Sequence, residues 1–253
     1  METNFRKFEL PVAYIGDILV SKKWCDAFAK GCGGQVSAKK EYLGGDIALF
    51  GCPNLTNLLL TAQKTHQNWF YGDKAYFGRG KYYRVTKNAY MHDTQGEATS
   101  KRFDKLGVEL KDWQNGDKIL ICPQSDGFYQ RLGTTQANWV ENVKSTLLKY
   151  TDREIIVKTK HTSHTELMFK MNLRNIWATV VHSSIAGVQS VLYGVPCFAT
   201  DASSTAAHFG CTDLSKIETP IKPDDRDRMA FVLADNQFTL EELASGIAWE
   251  KVK

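Results

Sequence analysis

Between Thr179 and Thr200 the chain reads TVVHSSIAGVQSVLYGVPCFAT, and this run limits the fold more than any other. Ala178–Val181 is a short apolar stretch that fits a buried strand. His182-Ser183-Ser184 makes a polar turn, and Ile185–Tyr193 has the composition of a helix. Gly194 stops that helix, Pro196 prevents its resumption, and Cys197–Ala199 is a second short strand. Strand, crossover helix and strand in so short a run is the unit from which parallel sheets are built. In open sheets of that kind ligands gather beyond the carboxyl ends of the strands, where a helix start presents unpaired N–H groups. Here that place carries an imidazole and two hydroxyls, a combination that suits an anion, most simply the phosphates of a nucleotide. A lone serine there would serve as an N-cap without any ligand. Three polar groups in a row, followed by Ala-Gly and closed by Tyr-Gly-Val-Pro, point beyond capping.

The same alternation runs through the second half. Lys118–Cys122 is a strand meeting Pro123-Gln124-Ser125-Asp126, Asn138–Leu148 a helix, Glu154–Lys158 a strand and Glu166–Asn172 a short helix. After Pro220 and Pro223 the chain is helical over Arg226–Asp235 and Leu240–Trp249. The first half holds three βα-like steps. Val12–Ile15 ends at Gly16-Asp17 and precedes a helix at Lys22–Lys30, whose Trp24, Cys25, Phe28 and Ala29 share one face. Asp46–Phe50 precedes Leu55–His66, where Leu55, Leu58, Leu59 and Ala62 form a helical stripe. Trp69–Tyr71 closes at Gly72-Asp73. The pattern predicts an α/β protein of two Rossmann-like halves, 1–116 and 117–253.

Composition excludes several classes. At 253 residues with 43% hydrophobic content, the chain can bury a sizeable core. No window approaches the roughly 18–20 apolar residues of a membrane span, and the first residues lack the pattern of a secretory leader. Cysteines at 25, 32, 52, 122, 197 and 211 show no CxxC spacing, so they read as core residues of a reducing, cytoplasmic compartment rather than metal ligands. The net charge of +4 is modest, but its distribution is uneven. From Lys74 to Lys105 there are eight Lys/Arg against three acids, Asp93, Glu97 and Asp104. Lys74, Arg79, Lys81, Arg84 and Lys87 alternate with Tyr76, Phe77, Tyr82 and Tyr83. Apart from a possible strand at Tyr82–Thr86, this stretch predicts a long loop whose cations meet phosphates and whose aromatics stack on bases. A solvated connection between the halves is the plainer alternative.

Neutralising an anion without a metal requires helix N-termini, hydroxyls and cations. The second half offers His182, Ser183 and Ser184, with Lys158, Lys160 and His161 after the preceding strand and Gln124 and Ser125 after the strand before it. Asp225-Arg226-Asp227 follows Pro223 at a helix start and reads as capping, not as a metal-binding Asp-x-Asp. For a general base the candidates are acids at strand ends in the first half. They are Asp73, preferred because it borders the basic loop, and Asp17, beside Gly16 where a backbone can approach a ligand.

The His-Ser-Ser turn, its helix and the Tyr-Gly-Val-Pro ending resemble the donor-binding segment of glycosyltransferases with two facing Rossmann-like domains, the GT-B-like arrangement. The likeness is to the capsule-polysaccharide and glycerophosphotransferase-like groups especially. There a Lys-Pro-His-Pro-like wording follows the preceding strand, whereas this chain has Lys158-Thr159-Lys160-His161-Thr162 without the prolines. Gln237-Phe238-Thr239-Leu240-Glu241-Glu242-Leu243, with Ser245-Gly246 and Trp249, resembles small bacteriophage-encoded glycosyltransferases, some of which modify DNA bases. The resemblance covers about 118–253. It implies a UDP-linked nucleotide-sugar as co-substrate, no other cofactor, and terminal helices packing across the cleft. It also implies double-stranded DNA with hydroxymethylated pyrimidines as acceptor, in a host cytoplasm. A polysaccharide or small-glycan acceptor with a CMP- or CDP-linked donor, or an inert nucleotide- or DNA-binding protein of the same fold, fits the same residues.

Overall fold

The computed structural model describes residues 9–51, 54–159 and 173–253. The chain divides into two compact units, Met1–His92 with Leu233–Lys253, and Asp93–Val232.

The first unit opens with β1 (Val12–Tyr14), α1 (Leu19–Cys32), β2 (Gln35–Ser37), β3 (Ile47–Phe50), α2 (Thr56–Lys64), β4 (Trp69–Lys74) and β5 (Tyr83–Lys87). β1 pairs in parallel with β2 and β3, and β3 with β4. β1 and β3 are buried along their whole length, as unbroken apolar strands must be when both faces of a sheet are covered. On one face α1 packs Trp24, Cys25 and Phe28 against Phe50 and Phe70. On the other α2 packs Leu58, Leu59 and Ala62 against Tyr14, Leu49 and Trp69. β4 runs on past the predicted Trp69–Tyr71 and pairs antiparallel with β5, setting Asp73 opposite Arg84. Gly72 is required there, since a Cβ would lie 2.3 Å from the Trp24 ring.

The second unit contains α3 (Ser100–Asp104), β6 (Gly116–Ile121), α4 (Asp126–Arg131), α5 (Gln136–Leu147), β7 (Glu154–Val157), β8 (Asn175–Val181), α6 (Ile185–Leu192), β9 (Cys197–Ala199), α7 (Thr205–His208) and most of α8 (Arg226–Asp235). Its four strands are all parallel, in the order β7-β6-β8-β9. Tyr129, Trp139, Val143 and Leu147 from α4 and α5 pack on Ile119, Ile121, Val180 and Phe198 of the sheet. The Thr135 hydroxyl accepts from Asn138 N, so α5 starts before the predicted Asn138. The predicted helix Glu166–Asn172 lies outside the described residues.

The end of the chain returns to the first unit. β10 (Gln237–Phe238) pairs antiparallel with β5. Thr239 and Glu242 form a capping box that starts α9 (Leu240–Ala244), and α10 (Ile247–Val252) follows. The predicted single helix Leu240–Trp249 is broken because Gly246 sits at φ +87°. These helices pack on α1, with Trp249 meeting Phe28 and Phe70 at ring distances of 6.1 and 5.1 Å. A Cβ at Gly31 would lie 1.9 Å from the Leu243 carbonyl oxygen. The buried Gln237 amide donates to Phe77 O and accepts from Phe77 N, both at 3.0 Å, fixing the β4–β5 connection. The units therefore differ from the predicted halves at both edges: 93–116 goes with the second unit and 233–253 with the first. Among the described residues no helix is long and apolar enough to cross a membrane. The five described cysteines are buried and free, and burial pushes the Cys25, Cys122 and Cys197 thiols up to about 12.

The turn after α6 is locked from two sides. Gln114 N donates to Gly194 O at 2.9 Å, and Arg226 Nη1 donates to Val191 O at 2.9 Å while its guanidinium stacks 4.3 Å from the Trp113 ring. Gly194 has φ +78°, and a Cβ there would lie 1.9 Å from Asp112 O. Gly194→Ala is therefore expected to lower stability by about 2–4 kcal/mol, adding backbone strain to an overpacking cost. A lower urea midpoint at unchanged slope is the expected reading.

Candidate functional site

The parallel register of the second sheet places Ile121 beside Val157 and Val180, and Val181 beside Ala199. The segments leaving β6, β7, β8 and β9 thus emerge along one edge, as ligand-binding segments of open α/β sheets do. α6 is buried on every side. It lies close to the sheet because residue 187 is glycine: a Cβ would come within 2.5 Å of Cys197 Sγ and 2.7 Å of Ala206 Cβ. That is the reason for Ala-Gly after the His-Ser-Ser turn.

Within the turn the three residues divide their work. The Ser184 hydroxyl accepts from Ala186 N at 3.2 Å and caps α6. Ser183 is gripped by Gln124, whose Oε1 accepts from Ser183 N at 3.3 Å and whose Nε2 donates to Ser183 Oγ at 3.1 Å. Gln124 N in turn donates to the Tyr129 hydroxyl at 3.3 Å. The His182 ring packs against Phe128, Tyr129 and Trp139 at 5.3, 6.0 and 6.2 Å. Its Nδ1 lies 3.3 Å from Ser183 Oγ and 3.8 Å from Asp201 Oδ2. Burial lowers the pKa of His182, and the Asp201 carboxylate opposes that shift. A neutral imidazole in a half-buried turn is a hydrogen-bond donor that becomes a cation when an anion arrives.

Lys158 follows β7; its N donates to Ile121 O at 2.9 Å, and its ammonium makes no hydrogen bond or ion pair among the described residues. Ser125 precedes α4, is exposed and makes no side-chain cap. Lys160 and His161 lie outside the described residues. Asp201 was not a sequence candidate. It follows β9 as His182 follows β8, and the one available signal was an acid just beyond a third strand of the same sheet.

The first unit presents a different picture. Gly16 N donates to Ser21 Oγ at 2.8 Å at the carboxyl end of β1. Asp17 is exposed there, bonded through both carboxylate oxygens to Lys40 Nζ at 2.7 and 2.9 Å and accepting from Asn54 Nδ2. Asp73 lies within β4, not beyond it. Its Oδ2 accepts from Arg84 Nη2 at 2.8 Å, and its Oδ1 from Lys74 N at 2.7 Å. Arg84 is only 3% exposed, stacks 5.1 Å from the Tyr76 ring, and among the described residues its Nε and Nη1 have no hydrogen-bond partner.

That packing corrects the reading of the basic loop. Tyr76, Phe77, Tyr83 and Arg84 are buried, so none of them is on the surface to meet a base or a phosphate. The Tyr76 and Tyr83 rings meet His92 and Phe50, and the Phe77 backbone is bonded to the Gln237 amide. Lys74, Arg79, Lys81 and Lys87 remain exposed, and Tyr82 is half-buried. At the start of α8 Asp225 pairs with Arg228, and Asp227 Oδ1 accepts from Arg228 N at 2.7 Å. Among the described residues no group of three or more His, Cys, Asp or Glu is placed to hold a metal.

At the opposite ends of β6, β7 and β8 an open depression of about 710 Å³ is lined by Asp117, Lys118, Arg153, Glu154, Asn175 and Glu218. Four of its charges are paired: Arg153 forks onto Glu218 at 2.9 and 3.0 Å, and Lys118 pairs with Glu154 at 2.7 Å. It lies away from the edge where the turn stands.

No family model and no characterised protein sequence matches the chain. Among solved structures, the chain is similar to KpsC of Thermosulfurimonas dismutans, a beta Kdo 2,4 transferase, at 13% identity and a TM-score of 0.47, over 76% of this chain and 80% of that one.

Proposed function

We propose that the chain is a glycosyltransferase that moves a sugar from a nucleotide-sugar, UDP-linked, to a hydroxyl, with a hydroxymethylated pyrimidine in DNA as the preferred acceptor. The observation that carries the reading is the His182-Ser183 turn, clamped by Gln124 beside the capped start of α6, with Lys158 following another strand of the same sheet. The reading gives the donor to the second unit and the acceptor to the first, with the two-halved GT-B-like arrangement that the resemblance implies.

In the transfer the bond from the anomeric carbon to the diphosphate oxygen breaks, and its electron pair stays on that oxygen. His182 and the N–H groups at the start of α6 stabilise the charge that develops there, with Lys158 as a further cation. The acceptor oxygen bonds to the anomeric carbon and its proton passes to a carboxylate. Asp17 suits that role better than Asp73. It is exposed at the carboxyl end of β1, whereas Asp73 is committed to a buried arginine.

The DNA acceptor rests on the resemblance and on the exposed cations Lys74, Arg79, Lys81 and Lys87. The deciding experiment incubates the protein, in EDTA, with a panel of labelled nucleotide-sugars and DNA containing normal or hydroxymethylated pyrimidines. Nucleoside mass spectrometry is expected to show one added sugar on the hydroxymethylated base. Transfer to glycans alone would move the acceptor to the polysaccharide class. Dependence on a divalent ion would refute metal-free transfer, and absence of both transfer and nucleotide binding would end the reading.

A further inference from the structure

Beside the turn, beyond β9, stands an acid that the proposed chemistry has not used. Asp201 N donates to His182 O at 3.2 Å, so the chain leaving β9 is tied to the chain leaving β8. Asp201 Oδ1 accepts from Ser203 N at 2.9 Å and from Ser203 Oγ at 2.7 Å, which fixes the carboxylate. Oδ2 is left 3.8 Å from His182 Nδ1.

His182 Nδ1 has a second neighbour, the Ser183 hydroxyl. A backbone N–H can only donate, so the Gln124 oxygen must face Ser183 N, and Gln124 Nε2 must then donate to Ser183 Oγ. The hydroxyl hydrogen of Ser183 is left for His182 Nδ1. When Ser183 donates, Nδ1 is the acceptor and the ring proton sits on Nε2, which makes no hydrogen bond among the described residues. Around the ring stand Phe128 and Tyr129 from α4, Trp139 from α5, Ser183 in its own turn and Asp201 after β9; Asp201 is the charged group among them. Nδ1 therefore faces a neighbour for each protonation state: the Ser183 hydroxyl at 3.3 Å can donate to it when the imidazole is neutral, and the Asp201 carboxylate at 3.8 Å offers the opposite charge when the imidazole is protonated.

We propose that Asp201 is a positioning residue of the anion site, holding His182 as an imidazolium so that a nucleotide diphosphate is bound together with one proton. This rests on the reading of the turn as a diphosphate site. An anion at the free edge of the ring favours its charged form, while burial keeps the empty site neutral. Asp201 acts through His182 and touches no substrate.

The test is titration calorimetry of the full chain with UDP, and in parallel CMP, at pH 7.5 in buffers of small and large ionisation enthalpy. Wild-type protein is expected to take up about 0.5–1 proton per nucleotide bound, since His182 changes from neutral to charged. His182→Gln reports any proton taken by the nucleotide itself, and that count is subtracted. Asp201→Asn keeps the Oδ1 bonds to Ser203, so the turn survives; proton uptake should fall to near the His182→Gln level and affinity about tenfold. Asp201→Glu should restore part of the uptake. A merely structural Asp201 would weaken binding with the proton count unchanged, and that result overturns the inference, as does wild-type binding without proton uptake. Should Asp201→Asn fold poorly, wild-type affinity alone decides: it must weaken as pH rises from 6.5 to 8.5, and a flat profile refutes the proposal. Failure of both nucleotides to bind removes the diphosphate reading and this inference together.

Discussion

Acidifying the protein from pH 6.5 to 4 is expected to cost about 1.4 kcal/mol of stability per pH unit from a single side chain, some 3 kcal/mol in all. His92 is the cause. Its Nδ1 lies 3.2 Å from the Tyr76 hydroxyl, and its Nε2 bonds to Val85 O at 2.8 Å. Burial, reinforced by the neighbouring Arg84 charge, pushes its pKa down to about 3; the Val85 carbonyl opposes the shift and Lys251 adds to it. Because the folded value lies below the unfolded one, near 6.5, the unfolded chain takes the proton first. The contribution is complete above pH 6.5 and drains away as pH falls toward 3. Urea midpoints at pH 7, 6, 5 and 4 should fall for wild type. For His92→Asn they should start lower and vary less, the difference isolating this histidine from the carboxylates. Parallel curves for the two proteins would show that His92 does not titrate in this window.

The second large effect separates the two acids. Asp17→Asn keeps the shape and removes the basicity, so turnover should fall by about 10²–10⁴-fold while nucleotide-sugar affinity survives. Asp73→Asn should behave oppositely. It leaves Arg84 buried without its counter-charge, a loss of about 3 kcal/mol, while turnover per folded molecule is kept. Melting curves and single-turnover rates on both variants distinguish the roles. If Asp73→Asn abolishes turnover in protein that still melts like wild type, the base is Asp73 and the ion pair opens during the reaction.

The apolar runs of β1, β3, β6 and β8 were legible because a strand buried on both faces needs no partner to be recognised. β2 was not, because Gln35-Val36-Ser37 is an exposed edge whose pairing to β1 comes from the fold. α4 has six residues, too few to show a helical period. The misreading of residues 74–87 has one physical origin: basic and aromatic residues in alternation look the same whether the aromatics point outward or inward. What decides is the antiparallel pairing of β4 with β5 and of β5 with β10, and β10 arrives from the far end of the chain. The His-Ser-Ser turn was legible because strand, polar residues and helix are contiguous. Asp201 was not, because its nearness to His182 is a property of strand register.

The return of residues 233–253 to the first sheet reverses the usual relation between synthesis and folding. Domains ordinarily fold in the order in which they leave the ribosome. Here the second unit is one continuous stretch and is complete once Val232 has been made. The first unit, though made earlier, still lacks β10 beside β5 and the Leu243 and Trp249 contacts to α1. Until residues 237–252 emerge, Phe28 and Phe70 have no Trp249 to cover them and the β5 edge is open, the kind of edge that pairs with other chains. The first unit therefore stays aggregation-prone during synthesis until residues 237–252 have been made, after the second unit is already complete.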